Sequence, residues 1–217
     1  MRLKHGHITL ELHVLRGGEG LPLLLLHALR GSSADWKAPP WAGPVYGLDF
    51  CGHGSSDWLT GGSYYPEMLA ADADTALAHV GHAALAGAGL GAYVALMLAG
   101  ARPALVPATL LMAGAGLDGA GPHPEYDAPF PNVSEIAQRK VEGCDPFVDL
   151  LEYFVRPPAY TVELAAAANR IVLVDNGEPR PPWWQVVRSH ANVEVAADEI
   201  TAFGRLAHAT RERANAE

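Results

Sequence analysis

Apolar and polar residues alternate from Ile8 to Val14, with Ile8, Leu10, Leu12 and Val14 on one side and Thr9, Glu11 and His13 on the other. That period-two pattern predicts a strand with one wet face. Gly17-Gly18-Glu19-Gly20 makes a turn, and Leu23 to Leu26 follows without a polar residue, as in a strand buried on both faces. Val45 to Leu48, Thr109 to Met112 and Ile171 to Val174 are runs of the same kind, and Val193 to Val195 is a shorter one. Helical stretches separate them: Pro66 to His79, alanine-rich with proline in its first turn, then Trp183 to Ser189 and Thr201 to Arg213. Pro39-Pro40 keeps any helix begun at Ser32-Ser33 very short. Gly114 to Pro131 reads as loop, and Asn132 to Ala168 as at least two helical pieces broken at Pro146 and at Pro157-Pro158. Strands alternating with helices predict an α/β fold with a mostly parallel sheet, helices on both faces and right-handed crossovers. No segment repeats another.

The most specific stretch is Leu85-Ala86-Gly87-Ala88-Gly89-Leu90-Gly91-Ala92-Tyr93-Val94-Ala95-Leu96, a short apolar run, a glycine-dense turn and an apolar helix. A dinucleotide loop is a poor fit, because the third glycine falls one residue early and no acidic residue closes a following strand. Two further stretches change the picture. His27-Ala28-Leu29-Arg30-Gly31-Ser32-Ser33-Ala34-Asp35-Trp36 resembles the H-G-x-x-G-S-x-x-x-W oxyanion loop of α/β-hydrolases, and Asp49-Phe50-Cys51-Gly52-His53-Gly54-Ser55-Ser56-Asp57 their D-x-x-G-H-G-x-S turn. The glycine-dense turn resembles the G-x-S-x-G nucleophile elbow of the same superfamily, with Gly89 in place of serine. The resemblance implies the α/β-hydrolase fold: one domain over residues 1–217, with a reduced lid inserted at about 115–168.

A serine hydrolase needs a nucleophile, a base to take its proton and an acid to orient the base. Carried over position by position, the resemblance implies that all three are vacated. Gly89 has no side chain. The acid is expected in a G-x-x-D turn after the strand at Ile171 to Val174, where Gly177-Glu178-Pro179-Arg180 places Arg180. The base is expected after the last strand, where Ala196-Ala197-Asp198-Glu199-Ile200 holds no histidine. Backbone oxyanion donors survive the loss of side chains, so the resemblance implies a pocket formed by Ala28, Leu29, Arg30, Gly89 and Leu90, enlarged by the absent hydroxymethyl group. Asp118, after the strand at Thr109 to Met112, and His123 are the remaining candidates for catalysis. Asp49 and His53 are expected to brace their turn, and Arg30 to be solvated or to touch a ligand.

Charge and composition narrow the partners. The formal charge is −9 with scattered basic residues, so no stripe suits nucleic acid. No apolar run reaches the ~20 residues of a membrane span. Met1-Arg2-Leu3-Lys4-His5 is no signal peptide, and Cys51 and Cys144 form no spaced motif, so a cytoplasmic protein with reduced thiols is expected. The ten histidines include no set at metal-ligand spacing, and neither metal nor cofactor is expected. Trp183-Trp184 and Tyr64-Tyr65 line a pocket or simply pack. The function expected is that of a non-hydrolytic protein holding a small molecule, or a protein partner such as a second copy, in the old cleft. The alternative is a hydrolase- or lyase-type enzyme using other residues of the same pocket.

Overall fold

The computed structural model describes residues 1–117, 132–138, 142–153, 157–177 and 180–214. Its strands are β1 (Arg2–His5), β2 (Ile8–Arg16), β3 (Leu23–Leu26), β4 (Val45–Asp49), β5 (Ala84–Ala88), β6 (Ala108–Met112), β7 (Arg170–Val174) and β8 (Val193–Ala196). They form one sheet in the order β1-β2-β4-β3-β5-β6-β7-β8. β2 is antiparallel to both of its neighbours, and all pairs from β4 through β8 are parallel. This is the strand order and direction of the α/β-hydrolase fold, as the motifs implied.

The helices are α1 (Pro66–Val80), α2 (Leu90–Ala101), α3 (Val133–Ala137), α4 (Pro158–Ala167), α5 (Pro182–Arg188) and α6 (Glu199–Ala214), with 3₁₀ turns at Ser33–Asp35 and Pro146–Tyr153. Proline opens α1, α4 and α5, where its missing N–H costs no helical bond. The turn at Ser33–Asp35 is as short as the following prolines require, and a capping box between Ser32 and Asp35 starts it.

β3 shows how the sheet divides the core. All four of its leucines are fully buried. Leu24 and Leu26 join the layer containing α1, α2 and the Trp183–Trp184 pair of α5, whereas Leu23 and Leu25 join the layer under Phe203 and Leu206 of α6. Burial of each leucine contributes about 1.5–3 kcal/mol, so this one strand fastens both layers. β1 was not foreseen: Arg2-Leu3-Lys4-His5 buries only Leu3, because an edge strand pairs on one side and needs little apolar surface. α6 begins two residues earlier than expected, because both carboxylate oxygens of Asp198 cap it through the N–H and hydroxyl of Thr201.

Candidate functional site

The elbow forms as expected between β5 and α2. A Cβ on Gly87 would run into the carbonyl of Gly91, and one on Gly91 into that of Leu26, so both positions demand glycine. Gly89, at the apex, has φ +53° and ψ −117°, a conformation costly for a residue with a Cβ.

The space above Gly89 is not the enlarged pocket that was expected. The backbone of Gly114 and Ala115, descending from β6, lies where a side chain would stand, and a Cβ on Gly89 would overlap it. The Ala115 carbonyl accepts hydrogen bonds from both Leu29 N–H (3.0 Å) and Leu90 N–H (2.9 Å). These are the two backbone donors that the resemblance assigned to an oxyanion, and the chain's own carbonyl sits on both. The strap is held further along by Trp183, whose indole N–H donates to the Leu117 carbonyl at 2.6 Å. Trp183 is itself fixed edge-on between Tyr93 and Trp184, at centroid distances of 5.2 and 5.1 Å.

Arg30 is exposed to solvent, and its guanidinium meets carboxylates rather than a ligand cleft. It has φ +61°, unusual for a residue with a Cβ. Its Nε donates to Asp149 Oδ1 at 2.6 Å and its Nη1 meets Glu152 Oε1 at 2.9 Å. The oxyanion loop is thereby tied to the 3₁₀ turn at Pro146–Tyr153. The hydrogen bond to Asp149 holds the Arg30 pKa above its ordinary value despite the opposing desolvation.

The Asp49 turn is a brace. Asp49 accepts from Ser33 N–H at 2.7 Å and Ser55 N–H at 2.8 Å, with His13 Nε2 at 3.1 Å. Burial works to raise its pKa, but these donors outweigh burial and hold the carboxyl below its usual range. His27 accepts from Phe50 N–H through Nε2 at 3.1 Å, so Nδ1 carries the proton donated to the Ala28 carbonyl at 2.7 Å. His53 is fully buried, its Nδ1 3.2 Å from the Cys51 carbonyl and its Nε2 without a partner among the described residues. Burial, reinforced by neighbouring His27, pushes the His53 pKa down to about 3. The buried Cys51 thiol donates to the Asp57 carbonyl at 3.2 Å, and burial beside Asp72, Asp57 and Asp145 pushes its pKa up to about 12. A thiol so held is no nucleophile at neutral pH.

Past β7, Arg180 donates to Asn176 Oδ1 at 2.6 Å and its guanidinium carbon lies 5.8 Å from the Trp184 ring centroid. A carboxylate that the sequence reading passed over stands directly after that strand. Asp175 accepts from Gly177 N–H at 2.9 Å and pairs with Arg188 at 2.9 Å. The Asp-Asn-Gly run that ends the apolar strand was its signal. Past β8, Asp198 is occupied as the cap of α6, and Glu199 follows it. Asp118 and His123 lie outside the described residues.

Beside the elbow, at the C-terminal edge of the sheet, a cavity of about 320 Å³ opens between β3, β5, β6 and the start of α6. Ala28, Ala88, Met112 and Phe203 give it apolar walls, and Lys37 and Glu199 bring opposite charges to it. Of the pocket residues expected from sequence, Ala28 reaches this cavity. Leu29 and Leu90 meet at the Ala115 carbonyl, above Gly89. Among the described residues no three His, Cys, Asp or Glu side chains gather as a metal site, and no helix is long and apolar enough to cross a membrane.

No family model matches the chain, and no curated protein resembles it in sequence. Solved structures do. The hypothetical protein PA1622 from Pseudomonas aeruginosa PAO1 is 19% identical, covering 99% of each chain with a TM-score of 0.67. Est816, described as an N-acyl homoserine lactone degrading enzyme, is 18% identical over 98% of this chain and 99% of its own, with a TM-score of 0.71. The bottromycin epimerase BotH is 17% identical over 100% and 98%, with a TM-score of 0.64. Such likeness shows the fold, and the chain is an α/β-hydrolase-fold protein. A shared fold leaves the chemistry to be argued from the site.

Proposed function

We propose that this protein is a non-hydrolytic user of the hydrolase scaffold, holding a small molecule with an apolar body and polar ends in the cavity beside the elbow. The observation that carries the reading is the Ala115 carbonyl seated on both Leu29 N–H and Leu90 N–H. An acyl substrate would have to displace it to reach an oxyanion hole, and Gly89 would still offer no oxygen to attack. The turns after β7 and β8 support the same reading, since Asp175 is taken up by Arg188 and Gly177 N–H, Arg180 packs at Trp184 and Asp198 caps a helix. Arg30 ties the oxyanion loop to the 3₁₀ turn at Pro146–Tyr153, which suits a scaffold fixed beside the cleft. The two buried, unpaired cysteines suit a reducing cytoplasm.

The test is covalent and kinetic. A fluorophosphonate probe is expected to leave the intact mass unchanged, and p-nitrophenyl acetate and butyrate to hydrolyse at the buffer rate. Stoichiometric labelling, or saturable turnover on the order of 1 s⁻¹, overturns the reading in favour of an enzyme working with other residues of the pocket. The binding half is read by fluorine NMR of 5-fluorotryptophan-labelled protein. Trp36 borders the cavity, and its resonance is expected to shift saturably with benzamide or phenylalanine in wild type but not in Ala88→Leu. A Trp36 signal that ignores both compounds in wild type removes the small-molecule half.

A further inference from the structure

At the opposite edge of the sheet, where the parallel strands begin, lies a larger cavity that owes nothing to the elbow. We propose that it binds an anionic amphiphile, an apolar body ending in one carboxylate or phosphate. The cavity measures about 860 Å³, within the range of ligand sites. Pro22, Trp41, Pro107 and Ala207 contribute to its largely apolar wall. Among the described residues its charged border is of one sign: Arg16, Arg211 and Arg213 contribute to it, and no aspartate or glutamate does. In a chain with a formal charge of −9, three guanidiniums around one apolar hollow run against the surface average.

Arg16 gives the site its fixed point. Its Nη1 donates to the Pro39 carbonyl at 2.9 Å and its Nη2 to the Trp41 carbonyl. These contacts orient the guanidinium without neutralising it, and Arg16 makes no ion pair among the described residues. Arg211 and Arg213 stand in the last turn of α6, where positive charge also offsets the carbonyl end of the helix. That role explains two of the three arginines and not Arg16, which ends β2 on the facing wall. A guanidinium pre-oriented by two carbonyls loses little freedom when it grips an anion, and a planar carboxylate or phosphate matches its fork. A bare ion would leave most of the hollow and its proline–tryptophan wall unused. An uncharged chain would leave the oriented guanidinium of Arg16 without a counter-charge among the described residues.

Isothermal titration with dodecanoate and dodecyl phosphate tests this, against dodecanol, dodecyltrimethylammonium and inorganic phosphate, all below micelle formation. Both anionic amphiphiles are expected to bind saturably, at least tenfold more tightly than the other three, with quenching of Trp41 fluorescence. Arg211→Gln, on an exposed helix turn, is expected to weaken them about tenfold, the loss of about 1.4 kcal/mol. Arg16→Lys keeps the charge but loses the fork, and is expected to weaken them as well. If Arg16→Lys fails to fold, Arg211→Gln carries the test alone. Equal binding of dodecanol or the ammonium, equal binding of inorganic phosphate, or an unchanged affinity in Arg211→Gln each overturns the proposal. Sedimentation with phosphatidylglycerol vesicles separates the sources. Free amphiphile binding without vesicle binding supports an enclosed ligand site, whereas capture by vesicles with no binding of the free anions overturns it.

Discussion

At Gly89 a single missing side chain has two structural consequences. The apex keeps the strained geometry of a nucleophile elbow at a residue that bears the strain cheaply. It also lets the Gly114-Ala115 backbone descend into the space where a hydroxyl would sit. Restoring serine therefore competes with a strap already hydrogen-bonded in place. Gly89→Ser and Gly89→Ala are each expected to lose about 2–4 kcal/mol, from backbone strain of about 1–3 kcal/mol and the displaced bonds of the Ala115 carbonyl. For a chain of this length that lowers the melting temperature by about 5–10 °C. Neither variant is expected to hydrolyse p-nitrophenyl esters above a slow, non-saturating trace, since a serine hydroxyl without a base is a poor nucleophile. A higher melting temperature, or saturable turnover in Gly89→Ser alone, contradicts this account of the apex.

Among elements, the oxyanion loop after β3 is held from two sides, by Asp49 through Ser33 N–H and by the 3₁₀ turn at Pro146–Tyr153 through Arg30. Arg30 combines an ion pair with a positive φ, and substitutions separate the two. Arg30→Ala loses the pair and keeps the strain, whereas Arg30→Gly loses the pair and releases it. Glycine is thus expected to be the milder change by about 1 kcal/mol in urea unfolding; an equal or greater loss in Arg30→Gly refutes the strain. Asp149→Asn is expected to speed amide exchange in residues 146–153 while leaving β5 and α2 protected. Uniform loss of protection would show that the clamp supports the whole fold. These contacts also mark how far the sequence was legible. The elbow, the Asp49 turn and the oxyanion loop were readable because each is local and each forces particular residues into particular positions. Arg30 and Asp149 are 119 residues apart, and no local pattern joins them. The Ala115 carbonyl was hidden for another reason: the strap binds through its backbone, and a backbone acceptor leaves no mark in the residue types. Its only trace is the smallness of Gly114 and Ala115, which a plain loop shares.

Over the whole molecule, buried titratable groups set how folding answers to pH, and they do not all pull the same way. His27 and His53 have pKa values lowered by burial, so the folded state refuses protons that the unfolded chain accepts from about pH 6.5 downward. The stability they contribute is complete above the unfolded value and is lost as pH falls, for His53 over the window from 6.5 to about 3. Asp72 opposes them. Burial pushes its pKa up to about 6, against the Cys51 N–H and the His5 ring that favour its charge. It therefore favours the folded state below its unfolded value near 3.8 and loses that advantage as pH rises through 6. Asp49, held low, acts in the same sense as the histidines but only once carboxylates begin to protonate. His53 refuses its proton from pH 6.5 downward and Asp72 offsets it only below about 6, so acidification to pH 4 leaves a net loss, to which His27 adds in the same direction. Each unopposed proton is worth at most about 1.4 kcal/mol per pH unit. Urea unfolding across that range is expected to give a positive slope of stability with pH in wild type. The slope should be shallower in His53→Asn, which removes one refusing group, and steeper in Asp72→Asn, which removes the opposing one. Asp72→Asn keeps an acceptor for the Cys51 N–H, so its slope can be read apart from any uniform loss of stability. A slope unchanged in His53→Asn, or flattened in Asp72→Asn, would mean that these two side chains meet solvent in the folded state and that the turn after β4 is not the closed brace described above.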